Sequence, residues 1–125
     1  MEEIHTDELY EVSAPLSQAI RHHGIVYVSG AVPIDPDTDE LVDGGVGEQT
    51  EQVMENLATV LDAAGTSFDR VVRARVFLAD MDEFGELNEV YEEYVTEPYP
   101  ARTAVKAEMA RPEILVEIDV TATVD

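Results

Sequence analysis

The stretch from Val46 to Ala64 has the clearest periodic pattern in the chain, and it restricts the folds that the chain can adopt. Its apolar residues recur at the i, i+3, i+4, i+7 spacing of one helical face, while acids and amides occupy the opposite face. Acidic residues lie in the first turns, where the helix dipole favours them, and Gly65 follows as a stop signal. A helix with one apolar face must cover another layer, so we expect it to pack on a sheet.

The segments on either side of this helix have the patterns of β-strands. His23 and Gly24 form a turn signal between two apolar segments, which predicts a hairpin. The final segment alternates strictly, with Glu117 and Asp119 on its polar face. The predicted elements are a short strand near 8–12, strands at 16–22 and 25–29, a loop at 33–47, the helix, a strand at 70–79, a second helix from Asp80 to before Pro98 with Glu83 as its capping-box partner, and strands at 103–109 and 115–124.

This order predicts an α+β fold, in which a β-β-α-β-α-β-β sheet has two helices packed on one face. No linker, repeat or change in composition divides the chain, so we expect a single domain over residues 1–125. The buried stripe of the second helix is predicted to contain Phe84, Leu87, Val90, Tyr91, Tyr94 and Val95.

The charge of the chain is unusually negative for its size. There are 28 acidic residues against seven basic ones, and the net charge is -21. Such a surface repels the phosphates of nucleic acids and anionic lipids, so we expect neither as a partner. The acids are spread along the chain rather than collected at one end, which favours adaptation to a high-salt cytoplasm over an acidic interaction tail.

Several features that other functions need are missing from the sequence. It contains no cysteine, which excludes disulfides and thiol catalysis. It has no run of about 18 apolar residues and no apolar segment at its N-terminus, so we expect a cytoplasmic protein without a membrane span or signal peptide. The histidines lack metal-ligand spacing, and the glycines at 44–47 lack the lysine of a phosphate-binding loop, so we expect no metal and no nucleotide.

Arg102 is the strongest candidate for a ligand-binding side chain. It follows a proline-rich turn and opens an alternating run in which Arg102, Ala104 and Lys106 share one face. A guanidinium held between a rigid turn and a regular strand suits the bidentate capture of a small carboxylate. The alternative is a surface arginine at a strand end.

Three further positions carry groups that chemistry could use. Glu117 lies on the polar face of the last strand, Ser29 precedes a glycine at a strand end, and Asn88 lies in the second helix. Each also has an ordinary structural explanation, as a solvated acid, a turn hydroxyl and a surface amide.

Five segments taken together are characteristic of one protein family. They are Ala14–Ala19; Val26–Gly30 with Pro33–Pro36; Glu48–Val53 with Asn56, Leu57 and Ala63–Gly65; Asn88–Tyr91; and Pro100–Arg102 with Val116–Ile118. Through them the chain resembles the RidA family, also called YjgF or L-PSP. The resemblance implies a chorismate-mutase-like fold and a homotrimer with a ligand cleft at each subunit interface. It also implies hydrolysis of reactive enamines and imines, released by pyridoxal-phosphate enzymes, to 2-oxo acids and ammonia, without a cofactor.

The resemblance further implies roles for individual residues. Arg102 matches the arginine that binds the substrate carboxylate, and Glu117 matches the acid that positions or activates water, so both are expected to be catalytic. The positions expected to line the cleft and bind substrate are Ser29, Gly30, Asn88, Arg102 and Ala104. The chain departs from the family at Leu16, where tyrosine is frequent, and at Ala104, where cysteine is frequent, which affects substrate preference and rate.

Two other functions remain open for a chain with this resemblance. One is a non-catalytic trimer that binds small carboxylates, which would need Arg102 but not Glu117. The other is an endoribonuclease that inhibits translation, an activity attributed to some family members. The net charge of -21 argues against the second, because RNA would be repelled.

Overall fold

The computed structural model describes residues 1–125. Two α-helices are present, α1 (Val46–Ala63) and α2 (Phe84–Glu92). The strands are β1 (Glu2–Ile4), β2 (Ala19–His22), β3 (Ile25–Ala31), β4 (Ile34–Asp35), β5 (Glu40–Leu41), β6 (Val71–Leu78), β7 (Ala101–Lys106) and β8 (Val116–Thr123). No helix has the length and apolarity that a bilayer crossing requires.

Six strands form one sheet in the order β1-β2-β3-β8-β6-β7, and β4 pairs with β5 in a separate hairpin. All neighbours in the large sheet are antiparallel except β6 and β7. A parallel pair needs a crossover connection, which the chain makes through α2. The predicted α+β fold and the β-β-α-β-α-β-β order of its main elements are confirmed.

The core lies between the helices and one face of the sheet. It is a cluster of 23 buried residues, to which α1 contributes the fully buried Met54 and Leu57. Val76 on β6 and Ile118 on β8 are fully buried beneath them, because alternate strand residues point towards the helices. The opposite face of the sheet has no covering layer, and Tyr27 on that face is 51% exposed.

The predicted hairpin forms between β2 and β3. His23 and Gly24 have φ angles of 51° and 76°, so both turn residues are in the left-handed region. A two-residue turn of this kind matches the twist of the flanking strands, and glycine adopts it at little cost. The hairpin therefore follows from local sequence alone.

Two buried amides on α1 anchor neighbouring segments of backbone. Asn56 Nδ2 donates hydrogen bonds to the carbonyls of Val32 (3.0 Å) and Ile34 (2.9 Å). Gln49 donates to and accepts from the backbone of the segment that enters β8, at 2.8 and 2.7 Å. These amides bond backbone groups outside the ladder of the six-stranded sheet, and the apolar pattern did not predict their burial.

The short strand predicted near 8–12 is wrong, because the edge strand of the sheet is β1, at 2–4. The predicted loop at 33–47 contains the β4–β5 hairpin. The strand predicted at 16–22 begins only at Ala19, and the strand predicted at 103–109 is β7, which ends at Lys106 beside the last residue of β6. Strand ends therefore follow the available partners rather than the extent of apolar sequence.

The start of the second helix also differs from the prediction. Asp80 accepts a hydrogen bond from the Asp82 amide, but it caps a single 3-10 turn at Met81–Glu83, and α2 begins only at Phe84. Glu83 makes no side-chain capping bond, so the predicted capping box is absent. The helix ends at Glu92, several residues before Pro98.

Candidate functional site

Arg102 lies on the helix-covered side of the edge strand β7. In the β6–β7 register it is opposite Ala74, which is buried in the core. Its guanidinium carbon lies 5.2 Å from the ring centroid of Phe84 and 4.8 Å from that of Tyr91. These two residues and Asn88 follow the i, i+4, i+7 spacing, so α2 presents all three on one face. We call Phe84, Asn88, Tyr91 and Arg102 the arginine cluster.

Arg102 has no acidic partner, although the chain has 28 acidic residues. The other arginines all have partners in the chain. Four of them donate hydrogen bonds, Arg21 to the Asp125 backbone carbonyl, Arg70 to the Asp125 carboxylate, Arg73 to Thr103 and Arg75 to Asp119, and Arg111 lies 3.8 Å from Glu113 as an ion pair. Asn88 Oδ1 and the Tyr91 hydroxyl are also buried without a hydrogen-bond partner. Because buried polar groups are normally bonded, the arginine cluster contains hydrogen-bonding groups that the chain itself leaves unused.

The Tyr91 hydroxyl remains a proton donor at neutral pH. Burial raises its pKa, and the positive charge of Arg102 opposes this shift without cancelling it. The phenol and the guanidinium therefore both offer hydrogen-bond donors in one place, which favours an anionic or carbonyl oxygen.

A second cluster lies on the open face of the sheet, where β3 pairs with β8 through an irregular register. A Cβ atom added to Gly30 would lie 2.2 Å from Glu117 Oε2, so the carboxylate occupies the space that the glycine leaves. Next to it, the Ser29 hydroxyl donates a hydrogen bond of 2.6 Å to the Ser17 carbonyl. We call Ser29, Gly30 and Glu117 the carboxylate cluster.

The carboxyl group of Glu117 holds its proton more strongly than an ordinary glutamate. Burial is the larger cause of its raised pKa, and the negative charge of Asp119 on the same face adds to it. Asp119 itself is paired with Arg75 through two hydrogen bonds of 3.0 and 2.8 Å. A raised carboxyl pKa brings the group closer to the range in which it exchanges protons near neutral pH.

The two clusters lie on opposite faces of the sheet. Arg102 shares the face of the buried Ala74, whereas Glu117 alternates with buried residues and points to the open side. Within one chain, the structure thus brings together Ser29, Gly30 and Glu117, and separately Asn88 and Arg102. Ala104, two residues beyond Arg102 on β7, packs partly buried against the core.

Sequence reasoning did not find the aromatic members of the arginine cluster. Phe84 and Tyr91 were predicted as part of the buried stripe of the second helix, and they do pack against the core. Their second role, in contact with the Arg102 guanidinium, depends on β7 lying beside α2. The spacing of Phe84, Asn88 and Tyr91 is the signal that could have indicated it.

The chain is similar to known proteins over nearly its whole length. The family model described as Endoribonuclease L-PSP matches residues 6–124. A RutC family protein of Pyrococcus horikoshii is 41% identical over 97% of this chain and 96% of that protein. The 2-iminobutanoate/2-iminopropanoate deaminase of Mus musculus is 42% identical over 86% of this chain and 80% of that protein.

Solved structures give the same result. RidA from an Antarctic Psychrobacter species has a TM-score of 0.93 and 38% identity, covering 99% of this chain and 100% of that one. TdcF of E. coli, solved with bound serine, has a TM-score of 0.91 and 27% identity over 100% of both chains. The agreement extends over nearly the entire sequence and fold, and the chain therefore belongs to the RidA (YjgF/L-PSP) family.

Proposed function

We propose that this protein hydrolyses reactive 2-imino and 2-enamino acids to 2-oxo acids and ammonia. The observation that carries this proposal is Arg102, an arginine without an acidic partner in a chain of net charge -21. A protein that places an unpaired guanidinium over two aromatic rings has a position prepared for an anion from outside the chain. The names of the mouse relative and of TdcF with bound serine support a small carboxylate as that anion.

Arg102 would hold the carboxylate of the substrate. Its planar guanidinium can donate two parallel hydrogen bonds to one carboxylate, and the rings of Phe84 and Tyr91 restrict its orientation. Asn88 Oδ1 could accept a hydrogen bond from the imine nitrogen and the Tyr91 hydroxyl could donate to an oxygen, once substrate binding moves the side chains that cover these two buried atoms. Binding at several points fixes the reacting carbon in one position.

Glu117 would act on water. As the base, it takes one proton from a water molecule while the water oxygen forms a bond to the protonated C=N carbon. Glu117 then returns this proton to the nitrogen of the tetrahedral adduct and takes the proton of the adduct's hydroxyl group as the C–N bond breaks and the C=O bond forms. Ammonia leaves a 2-oxo acid and departs with that last proton as ammonium, so Glu117 is again ionised. The reaction consumes one water molecule and needs no oxidant or reductant.

We further propose that the protein is a homotrimer in which each cleft joins the arginine cluster of one chain to the carboxylate cluster of its neighbour. The placement of the clusters on opposite faces of the sheet supports this, because a single chain cannot apply both to one substrate. The uncovered sheet face, with Tyr27 half exposed, offers a surface for the neighbour. Light scattering in molar potassium chloride should give the mass of a trimer, and a monomer that is fully active would contradict this arrangement.

A coupled assay tests the activity. An amino-acid oxidase or dehydratase generates 2-iminopropanoate or 2-iminobutanoate in high salt, and the appearance of the oxo acid is followed with and without the protein. Charge-assisted hydrogen bonds contribute roughly 1.5–3 kcal/mol each, so Arg102→Ala should lower kcat/KM by about 10²-fold or more. Arg102→Lys keeps the charge without the planar fork and should be impaired less. Arg111→Ala is the matched control, because Arg111 is an exposed arginine outside both clusters.

The same variants separate the deaminase from the two other functions of this family. A protein that only binds carboxylates would lose binding in Arg102→Ala but would be unchanged in Glu117→Gln. An endoribonuclease, the activity in the description of the family model, would cleave single-stranded RNA. The charge of -21 makes RNA binding unfavourable, so we expect no cleavage at about 0.15 M salt, where the Debye length is about 8 Å. Full oxo-acid release by Arg102→Ala in a folded protein would refute the proposed function.

A further inference from the structure

The helix α2 is short, and it supplies the two rings that contact Arg102. It has nine residues, and helices of this length are marginal in water unless other parts of the protein hold them. Leu87, which is fully buried, and Tyr91, which is 7% exposed, fix α2 to the core. Apolar contacts have no preferred direction, so the position of α2 along its own axis depends more on its polar contacts.

Two hydrogen bonds tie the α2 segment to α1, one at each end. At the start of α2, the Gly47 amide donates to Glu86 Oε2 at 3.0 Å. Just beyond its end, the Tyr94 hydroxyl donates to Glu55 Oε2 at 2.7 Å. The two pairs follow the same order along both segments, so α1 and α2 run side by side in the same direction. One side of α2 is thus tied to α1, and another side faces Arg102.

The contact between Glu86 and Gly47 combines three conditions. Gly47 lies in the first turn of α1, where backbone amides have no partner within the helix. The partial positive charge of this helix end attracts a carboxylate. A Cβ at residue 47 would lie 2.7 Å from Glu86 Oε2, so the carboxylate occupies space that the glycine leaves free. Hydrogen-bond direction, charge and steric fit together select one position for the Glu86 side chain.

The other charged groups at the start of α2 repel Glu86. Burial is the largest cause of the raised pKa of Glu83, and the negative charges of Asp80 and Glu86 add to it. No arginine or lysine forms an ion pair with these three acids. The Gly47 amide is therefore the one donor that the chain supplies to the Glu86 carboxylate.

We propose that Glu86 is a positioning residue for the arginine cluster. Its carboxylate holds α2 on the N-terminal end of α1, and this keeps the rings of Phe84 and Tyr91 at 5.2 and 4.8 Å from the Arg102 guanidinium carbon. Without this contact, α2 occupies other positions as well, and a smaller fraction of the protein has the arrangement that binds a carboxylate. Substrate binding restores the arrangement, so affinity falls while the chemistry of the bound state is unchanged. The kinetic part of this inference rests on the proposed deaminase function.

The kinetic experiment compares Glu86→Ala with the wild-type protein in the coupled deaminase assay. The attraction between a carboxylate and a helix end is modest, so we expect KM to rise roughly 2- to 5-fold, with kcat unchanged. Glu86→Gln keeps an oxygen that accepts the amide proton and should recover most of the affinity. The control is Glu92→Ala, which removes an exposed acid of the same helix that makes no side-chain hydrogen bond. A wild-type KM in Glu86→Ala, or a fall in kcat alone, would overturn the proposal.

Gly47→Ala separates positioning from a general loss of stability. The added Cβ pushes Glu86 Oε2 away, whereas alanine is more favourable than glycine within a helix. KM should therefore rise as in Glu86→Ala, although the free energy of unfolding does not fall. The double variant should have the KM of Glu86→Ala alone, because both substitutions act through one contact. Changes in KM that add in the double variant would contradict this.

A measurement on Arg102 itself does not depend on activity. In ¹⁵N-labelled protein, the Nε–Hε resonance that disappears in Arg102→Lys is that of Arg102. The two rings shift this proton resonance, and the shift should decrease in Glu86→Ala and Gly47→Ala but not in Glu92→Ala. If the wild-type protein releases no oxo acid, the proposed function fails, while this resonance still decides the role of Glu86. An Arg102 resonance at the same position in all these variants refutes the inference.

Discussion

The contact between Gly30 and Glu117 allows a test in which the reacting group moves while the fold is preserved. Adding a Cβ at Gly30 puts it 2.2 Å from Glu117 Oε2, whereas ordinary contacts begin at about 3.4 Å. In Gly30→Ala the carboxylate must therefore retreat by about 1.2 Å, the difference between these two distances. The clash is with the end of a flexible side chain, and Gly30 is not in the left-handed region, so the backbone can remain where it is.

The expected result is a loss of turnover without a loss of stability. A displacement of about 1 Å at a reacting group can cost on the order of 10²-fold in rate, so we expect kcat to fall by roughly that factor. KM should be nearly unchanged, since Gly30 is not part of the arginine cluster. The free energy of unfolding should change by less than about 1 kcal/mol, because alanine also reduces the entropy of the unfolded chain.

Gly85→Ala is the matched control for this substitution. Gly85 lies in α2, and a Cβ there would meet nothing within 4 Å. This variant should keep wild-type kcat and gain about 0.5–1 kcal/mol of stability, because glycine is unfavourable inside a helix. The coupled assay and denaturant unfolding in molar salt provide both quantities. If Gly30→Ala keeps wild-type kcat while remaining folded, the position of the Glu117 carboxylate does not matter for turnover, and the argument for its role fails.

Three further outcomes are expected. The melting temperature should rise between about 0.1 and 1 M potassium chloride, as the Debye length falls from about 10 to about 3 Å. With a net charge of -21, the acidic side chains repel one another, and salt screens this repulsion. A melting temperature that calorimetry finds independent of salt would contradict this. Glu117→Gln should be more stable than wild type at neutral pH and equally stable in acid. The folded state raises the pKa of Glu117, so the wild-type protein loses stability as the pH rises through that pKa and the carboxyl ionises. A stability difference that is the same at every pH would contradict this prediction. Asn56→Ala should lose about 1–3 kcal/mol, since the Ile34 carbonyl loses its side-chain donor and the Val32 carbonyl keeps only its bond from the Ile34 amide; denaturant unfolding that shows no loss would count against this.

The sequence was sufficient to predict the elements that depend only on residues close together in the chain. The apolar face of α1 and the His23–Gly24 turn each depend on neighbouring residues, and both were predicted correctly. The predicted ends of strands and helices were wrong where pairing or packing with another segment determines them. Asp80 can cap either a 3-10 turn or a helix, and the choice depends on packing that the sequence does not express locally.

The sequence predicted the strand face of each candidate residue, but it did not predict how the candidate residues are arranged across the sheet. Alternation correctly placed Arg102 and Ala104 together on one face of their strand, and Glu117 and Asp119 together on one face of theirs. Alternation within a strand cannot say how the faces of two strands relate, since this depends on the direction and register of their pairing. The opposite orientation of Arg102 and Glu117 therefore became visible only in the folded sheet.

The position of β8 has a consequence for the way the protein folds. This strand follows all the others in the sequence, yet it lies between β3 and β6, and it is the only strand that joins the β1-β2-β3 part of the sheet to β6 and β7. Ile25 is paired with Thr123, so contacts that hold the sheet together connect residues far apart in the chain. During synthesis the two parts of the sheet have no common partner until β8 has left the ribosome. Sheet assembly must therefore follow translation of this strand, and its speed is limited by long-range pairing rather than by the helices.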